Sequence, residues 1–121
     1  MKVGVPTEIN TDEYRVALTP AGVRELHEHG HDVVIQSGAG VGSAIEDGDY
    51  TAQGARIVPD AEAVFGEADM IVKVKEPQPS EVALLEPRHT LFTYLHLAPD
   101  AELTRGLVAS GATCVLSLIH I

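Results

Sequence analysis

Met70-Ile-Val-Lys-Val-Lys-Glu-Pro-Gln-Pro79 and Leu91-Phe-Thr-Tyr-Leu-His-Leu97 are two apolar runs, rich in β-branched or aromatic residues, and each closes on polar side chains. Runs of this length and composition read as strands. Lys75 ends the first, and His96 nearly ends the second. In a parallel sheet the carboxyl ends of the strands line the ligand crevice. A lysine and a histidine delivered to one such edge mark a site suited to a small carbonyl or carboxylate compound.

The segments on either side repeat the same alternation of strand and helix. Met1–Val5 reads as a buried strand stopped by Pro6, and 7–15 as a polar loop. Thr19-Pro20 signals a helix start, with Thr as N-cap and Pro in the first turn, and the helix runs to about His29 before Gly30. Asp32–Gln36 is a second strand, followed by a glycine-rich turn over 37–42, a short helix around 49–53 and a third strand over 55–58. Asp60 caps a helix through Phe65, and 69–75 forms the fourth strand. Ser80 is expected to cap a helix over 81–85. Thr90–His96 is the fifth strand, Asp100 caps a helix over 101–109, and a sixth strand begins at Thr113. This pattern predicts an α/β fold with an open, mostly parallel sheet and flanking helices, a three-layer Rossmann-like or flavodoxin-like arrangement. The chain stops inside the sixth apolar strand, from which we expect truncation of something longer.

Composition narrows the function classes. The 121 residues carry a net charge of −10 and no cluster of Lys or Arg. Nucleic acid and anionic membrane surfaces both require a basic footprint, so neither is an expected partner. The longest apolar run, 112–121, is too short to span a bilayer as a helix. The single cysteine, Cys114, excludes an internal disulfide and fits a reducing compartment. No signal peptide opens the chain, so a cytoplasmic location is expected.

Five groups of residues invite a functional reading, and each has a plain alternative. Gly38-Ala-Gly-Val-Gly-Ser43 resembles a dinucleotide fingerprint but has Ser where the third glycine belongs. The acidic stretch over 46–49 that follows would repel a diphosphate, so we read a tight turn and expect no cofactor-binding residues. His27, His29 and His31 cluster at a helix end, where a solvated terminus is the simpler reading than a metal site. Arg15 is either a surface arginine paired with Asp12 or Glu13, or a planar fork for a substrate carboxylate. Lys73 and Lys75 lie two apart in the predicted strand and so should share a face. They are either a strand end reaching solvent or, for Lys75, a cation that polarises a substrate carbonyl. His96 is either a packed strand-end histidine or a general acid/base.

At these residues a resemblance is legible. Lys2-Val-Gly-Val-Pro-Thr-Glu8, Arg15-Val-Ala-Leu-Thr-Pro-Ala-Gly22, Ser37-Gly-Ala-Gly40, Lys73-Val-Lys-Glu-Pro77 and Leu91-Phe-Thr-Tyr-Leu-His-Leu97 together resemble the N-terminal part of the L-alanine dehydrogenase family. The alpha subunit of nicotinamide nucleotide transhydrogenase is similar in the opening strand, the Arg-Val-Ala segment and the Ser-Gly-Ala-Gly turn. Its pattern lacks the His96 equivalent and the full Lys-Val-Lys-Glu-Pro run. The resemblance implies oxidative deamination of L-alanine to pyruvate and ammonia with NAD as hydride acceptor, in a homo-oligomer, commonly a hexamer. It implies that Arg15 holds the substrate carboxylate, that Lys75 contacts the carboxylate or carbonyl, and that His96 is the acid/base.

The resemblance covers residues 1 to about 114, expected to be a partial substrate-binding domain. The family's nucleotide-binding domain is expected to be absent from this chain. The family pattern after Cys114 continues differently from Val115-Leu-Ser-Leu-Ile-His-Ile121, so 115–121 is expected to be a non-native tail. A different class stays open beside the enzyme: a small-carboxylate-binding domain without chemistry.

Overall fold

The computed structural model describes residues 1–9, 13–93 and 101–116. The chain runs β1 (Lys2–Val5), α1 (Pro20–Glu28), β2 (Asp32–Gln36), a 3₁₀ turn (Val41–Ser43), α2 (Asp47–Thr51), β3 (Arg56–Val58), α3 (Ala61–Glu67), β4 (Met70–Val72), α4 (Pro79–Val82), β5 (Thr90–Thr93), α5 (Ala101–Ser110) and β6 (Thr113–Leu116). The six strands form one parallel sheet in the order β3-β2-β1-β4-β5-β6. This is the doubly wound order, and the chain reverses direction across the sheet between β1 and β4. The predicted fold class therefore stands.

Period-two alternation sends neighbouring strand residues to opposite faces. Val33, Ile35 and Val5 join Val23 of α1 and Tyr50 of α2 in one core. Val34, Ile71 and Leu91 join Val64 and Phe65 of α3 and Leu103 and Leu107 of α5 in the other. On the face carrying α1 and α2, the β5–β6 end of the sheet is thinly covered, and the register neighbours Phe92 and Val115 are each 40% exposed. Gly4 lets α3 approach β1, since a Cβ there would lie 2.6 Å from that of Ala68.

Local chemistry sets the helix ends. Thr19 accepts from Gly22 N at 3.1 Å and Asp60 from Ala63 N at 2.8 Å, as their residue types predict. The expected helix over 81–85 is instead α4, which begins two residues earlier and ends at Val82. Pro79 supplies a first-turn residue without an N–H, and Gln78 and Glu81 form a reciprocal capping box, so Gln78 displaces Ser80 as the cap.

The fourth strand is the larger departure, for it ends at Val72 rather than Lys75. Lys73 N still donates to Phe92 O at 3.0 Å. The next two amides turn instead to the Glu8 carboxylate: Val74 N to Oε2 at 3.0 Å and Lys75 N to Oε1 at 3.1 Å. A carboxylate from the β1 edge thus replaces the ladder and bends the chain.

A candidate carboxylate-binding edge at the strand reversal

Pro6, Thr7 and Glu8 leave the carboxyl end of β1 beside the carboxyl end of β4. Glu8 is 8% exposed and lies within a charge cluster. Its Oε1 is 3.2 Å from Lys73 Nζ, whose other carboxylate neighbour is Glu81 Oε2 at 3.0 Å. The Glu81 contact is an ion pair that lacks hydrogen-bond directionality. The Lys73 side chain has 0% exposure. The expectation that Lys73 and Lys75 share a face is therefore corrected. Lys73 is sealed between two carboxylates, whereas Lys75 follows the bend and is half-exposed. The segment is also tied to β5, because Thr93 Oγ1 donates to Lys75 O at 3.0 Å.

Arg15 stands on the loop after β1, with 67% of its side chain exposed. It pairs with Glu13, one of the two plain partners that the sequence offered. Nε donates to Glu13 Oε2 at 2.9 Å, Nη2 to Oε1 at 2.8 Å, and the Arg15 amide to Oε2 at 3.0 Å. These bonds hold the Glu13 carboxyl at a pKa of about 2, with direct hydrogen bonding from Arg15 as the largest cause and the Lys75 charge as a smaller one. Arg15 in turn is raised, mainly by Glu13 and in part by the charge of Glu8. Glu8, Glu13, Arg15 and Lys75 thus share one electrostatic neighbourhood at the strand reversal.

The glycine-rich turn holds this loop in place. Gly42 lies so close to the loop that a Cβ would sit 2.7 Å from the Tyr14 carbonyl oxygen, and Ser43 Oγ donates to that oxygen at 2.9 Å. At its start the turn binds an internal acid: Gly38 N and Ser37 Oγ each donate to the Asp47 carboxylate at 2.9 Å. A carboxylate seated on those donors leaves no cradle for a pyrophosphate. His29 Nδ1 lies 2.7 Å from Glu25 O at the end of α1. Among the described residues, no group of three or more His, Cys, Asp or Glu is placed to hold a metal ion, and no helix is long and apolar enough to cross a membrane.

His96 lies outside the described residues, as do Asp12 and Asp100. A concavity of about 400 Å³ opens between the 76–79 segment, α4 and α5, with Glu76, Glu102 and Arg105 among its lining. Sequence reasoning singled out Arg15 and Lys75 but assigned no part to Glu8 or Glu81. The available signal for Glu8 was an acidic residue just past a strand end, on the ligand side of a parallel sheet.

Comparison with known proteins points to one family. Residues 4–116 match the family model described as alanine dehydrogenase/PNT, N-terminal domain. The chain is 55% identical over 115 residues to the alanine dehydrogenase of Halomonas elongata, covering 95% of this chain and 31% of that protein. It is 54% identical over 113 residues to the enzyme of Methanococcus maripaludis, covering 93% and 30%. A solved L-alanine dehydrogenase superposes with a TM-score of 0.93 at 46% identity, over 96% of this chain and 32% of that one. The transhydrogenase of Sinorhizobium meliloti gives 0.89 at 29% identity, over 96% and 34%. The chain thus spans about a third of the length of these relatives. With the family model matching nearly its whole length, it belongs to the alanine dehydrogenase/PNT N-terminal domain family.

Proposed function

We propose that this chain is the substrate-binding part of an NAD-dependent alanine dehydrogenase, which interconverts L-alanine and NAD with pyruvate, ammonia and NADH. The observation that carries the reading is that Arg15, 67% exposed and chelated by Glu13, and the half-exposed Lys75 both follow strand ends at the carboxyl edge of the sheet. Two cations on a partly exposed edge suit an α-keto acid. Arg15 offers a planar fork to the carboxylate, and Lys75 offers a point charge to the carboxylate or to the carbonyl oxygen as negative charge develops there. His96 is assigned the acid/base role by resemblance.

NAD does not fit the residues in hand, because the glycine-rich turn already holds Asp47. Its binding belongs to sequence beyond residues 1–114, the span we assign to substrate binding, with 115–121 read as a tail. The reading includes a cytoplasmic homo-oligomer, hexameric when full length. The 46% identity to a solved L-alanine dehydrogenase, against 29% to the transhydrogenase, favours the dehydrogenase over the transhydrogenase alpha subunit.

The test joins residues 1–114 to the remaining two thirds of the Halomonas elongata enzyme. The chimera should oxidise NADH only when pyruvate and ammonia are both present. A folded chimera without that activity would refute the dehydrogenase reading. Pyruvate binding by the chain, with no turnover in the chimera, would point to the non-catalytic small-carboxylate binder.

A further inference from the structure

The bonds from Glu13 occupy one particular edge of the Arg15 guanidinium. Nε and Nη2 form the side-on edge and are both engaged. Among the described residues, Nη1 makes no hydrogen bond, so the end-on fork of Nη1 and Nη2 is open. Glu13 is itself well placed to be rigid. Its side chain is 6% exposed against 67% for Arg15, and the same carboxylate also accepts from the Arg15 backbone amide. The chelate therefore closes on one residue, fixing side chain to backbone over a separation of two positions. The Tyr14 carbonyl between them is anchored by Ser43 Oγ and crowded by Gly42.

An exposed arginine ordinarily samples many rotamers, and ordering it on a ligand weakens binding. We propose that Glu13 is a positioning residue that holds Arg15 side-on, so that its end-on fork is presented to the substrate carboxylate. This rests on the reading of Arg15 as the carboxylate-binding residue. Glu13 offsets the Arg15 charge and supplies direction in exchange, while Lys75 lies within electrostatic range of Glu13. The rival role for the same contact is competition, in which Glu13 imitates a substrate carboxylate and must leave for one to bind.

The two roles predict opposite signs. Pyruvate dissociation constants are measured by amide-shift titration for the chain itself and for Glu13→Gln, Arg15→Lys and the double variant, each checked for fold by its amide spectrum. Positioning predicts that Glu13→Gln weakens binding by about two- to tenfold, the range for ordering one rotamer-rich side chain. It also predicts that the same change has no effect beside Arg15→Lys, because an ammonium cannot take the side-on chelate. Non-additivity of that kind would not follow from a merely structural role. Tighter or unchanged binding by Glu13→Gln, or an equal loss in both backgrounds, would overturn the proposal. Absence of pyruvate binding by the unaltered chain is a distinct result. It would refute the reading of Arg15 itself, and the proposal with it.

Discussion

Lys73 and Arg15 both pair with carboxylates at the carboxyl edge of the sheet, and their settings are opposite. Lys73 has 0% side-chain exposure and touches Glu81 on α4 and Glu8, the latter 65 positions away in the chain. Arg15 is 67% exposed and is held by a carboxylate two residues away. Burial makes the first cluster demanding: a charge removed from water is stable only while its partners remain. Exposure makes the second permissive, because water or a ligand can take the open side of the guanidinium. The buried cation thus serves the architecture, tying β1 to β4 and α4, and the exposed one is available for chemistry.

The largest expected effect breaks the buried side of this comparison. Lys73→Met leaves Glu8 and Glu81 facing each other without a cation, and it should destabilise the fold by about 3–5 kcal/mol in chemical denaturation. Replacing all three residues with apolar ones should not recover that loss, because Glu8 also accepts from the Val74 and Lys75 amides and Glu81 from the Gln78 amide. Next, Arg15→Ala should lower the melting temperature less than Lys73→Met does, since it leaves one carboxylate, Glu13, without its cation rather than two, while weakening pyruvate binding by roughly one to two orders of magnitude, the loss of a charge-assisted hydrogen-bonded pair. Comparable melting temperatures for the two variants would erase the distinction.

Gly42→Ala probes the support of the exposed site. Its Cβ would meet the Tyr14 carbonyl at 2.7 Å, so the loop must shift, at a cost of about 1–3 kcal/mol, and pyruvate affinity should fall with it. The smallest effect is in pH. Glu13 has a folded-state pKa of about 2, below the ordinary 4.5. Its pairing with Arg15 therefore contributes fully above pH 4.5 and is lost as pH falls toward 2. A carboxyl-resolved NMR titration should place its midpoint near 2, and Arg15→Ala should return it toward 4.5.

Much of this architecture is legible in the sequence because it rests on local chemistry. Thr19-Pro20 and Asp60 begin helices where their side chains satisfy exposed amides, and the apolar runs of β1 and β2 sit where their composition puts them. Arg15 and Lys75 were legible as residue types next to strand ends. The end of β4 was not, because alternation extends a strand until something competes for its amides. Here the competitor is Glu8, 66 positions from Val74 in the chain. The same distance hid the burial of Lys73, since a lysine reads as exposed until two carboxylates are known to converge on it. Ser80 was the cap expected by type, and the capping box with Glu81, itself held at Lys73, puts the cap at Gln78 instead.

We expect the edge at the strand reversal, rather than the concavity between α4 and α5, to take the small carboxylate. A pyruvate titration of the ¹⁵N-labelled chain, followed in its backbone amides, tests it most directly. The account predicts saturable shifts concentrated at residues 13–16 and 73–75 and abolished by Arg15→Ala. Shifts centred on Val82, Leu103 and Gly106, or none at all up to high pyruvate concentration, would contradict it.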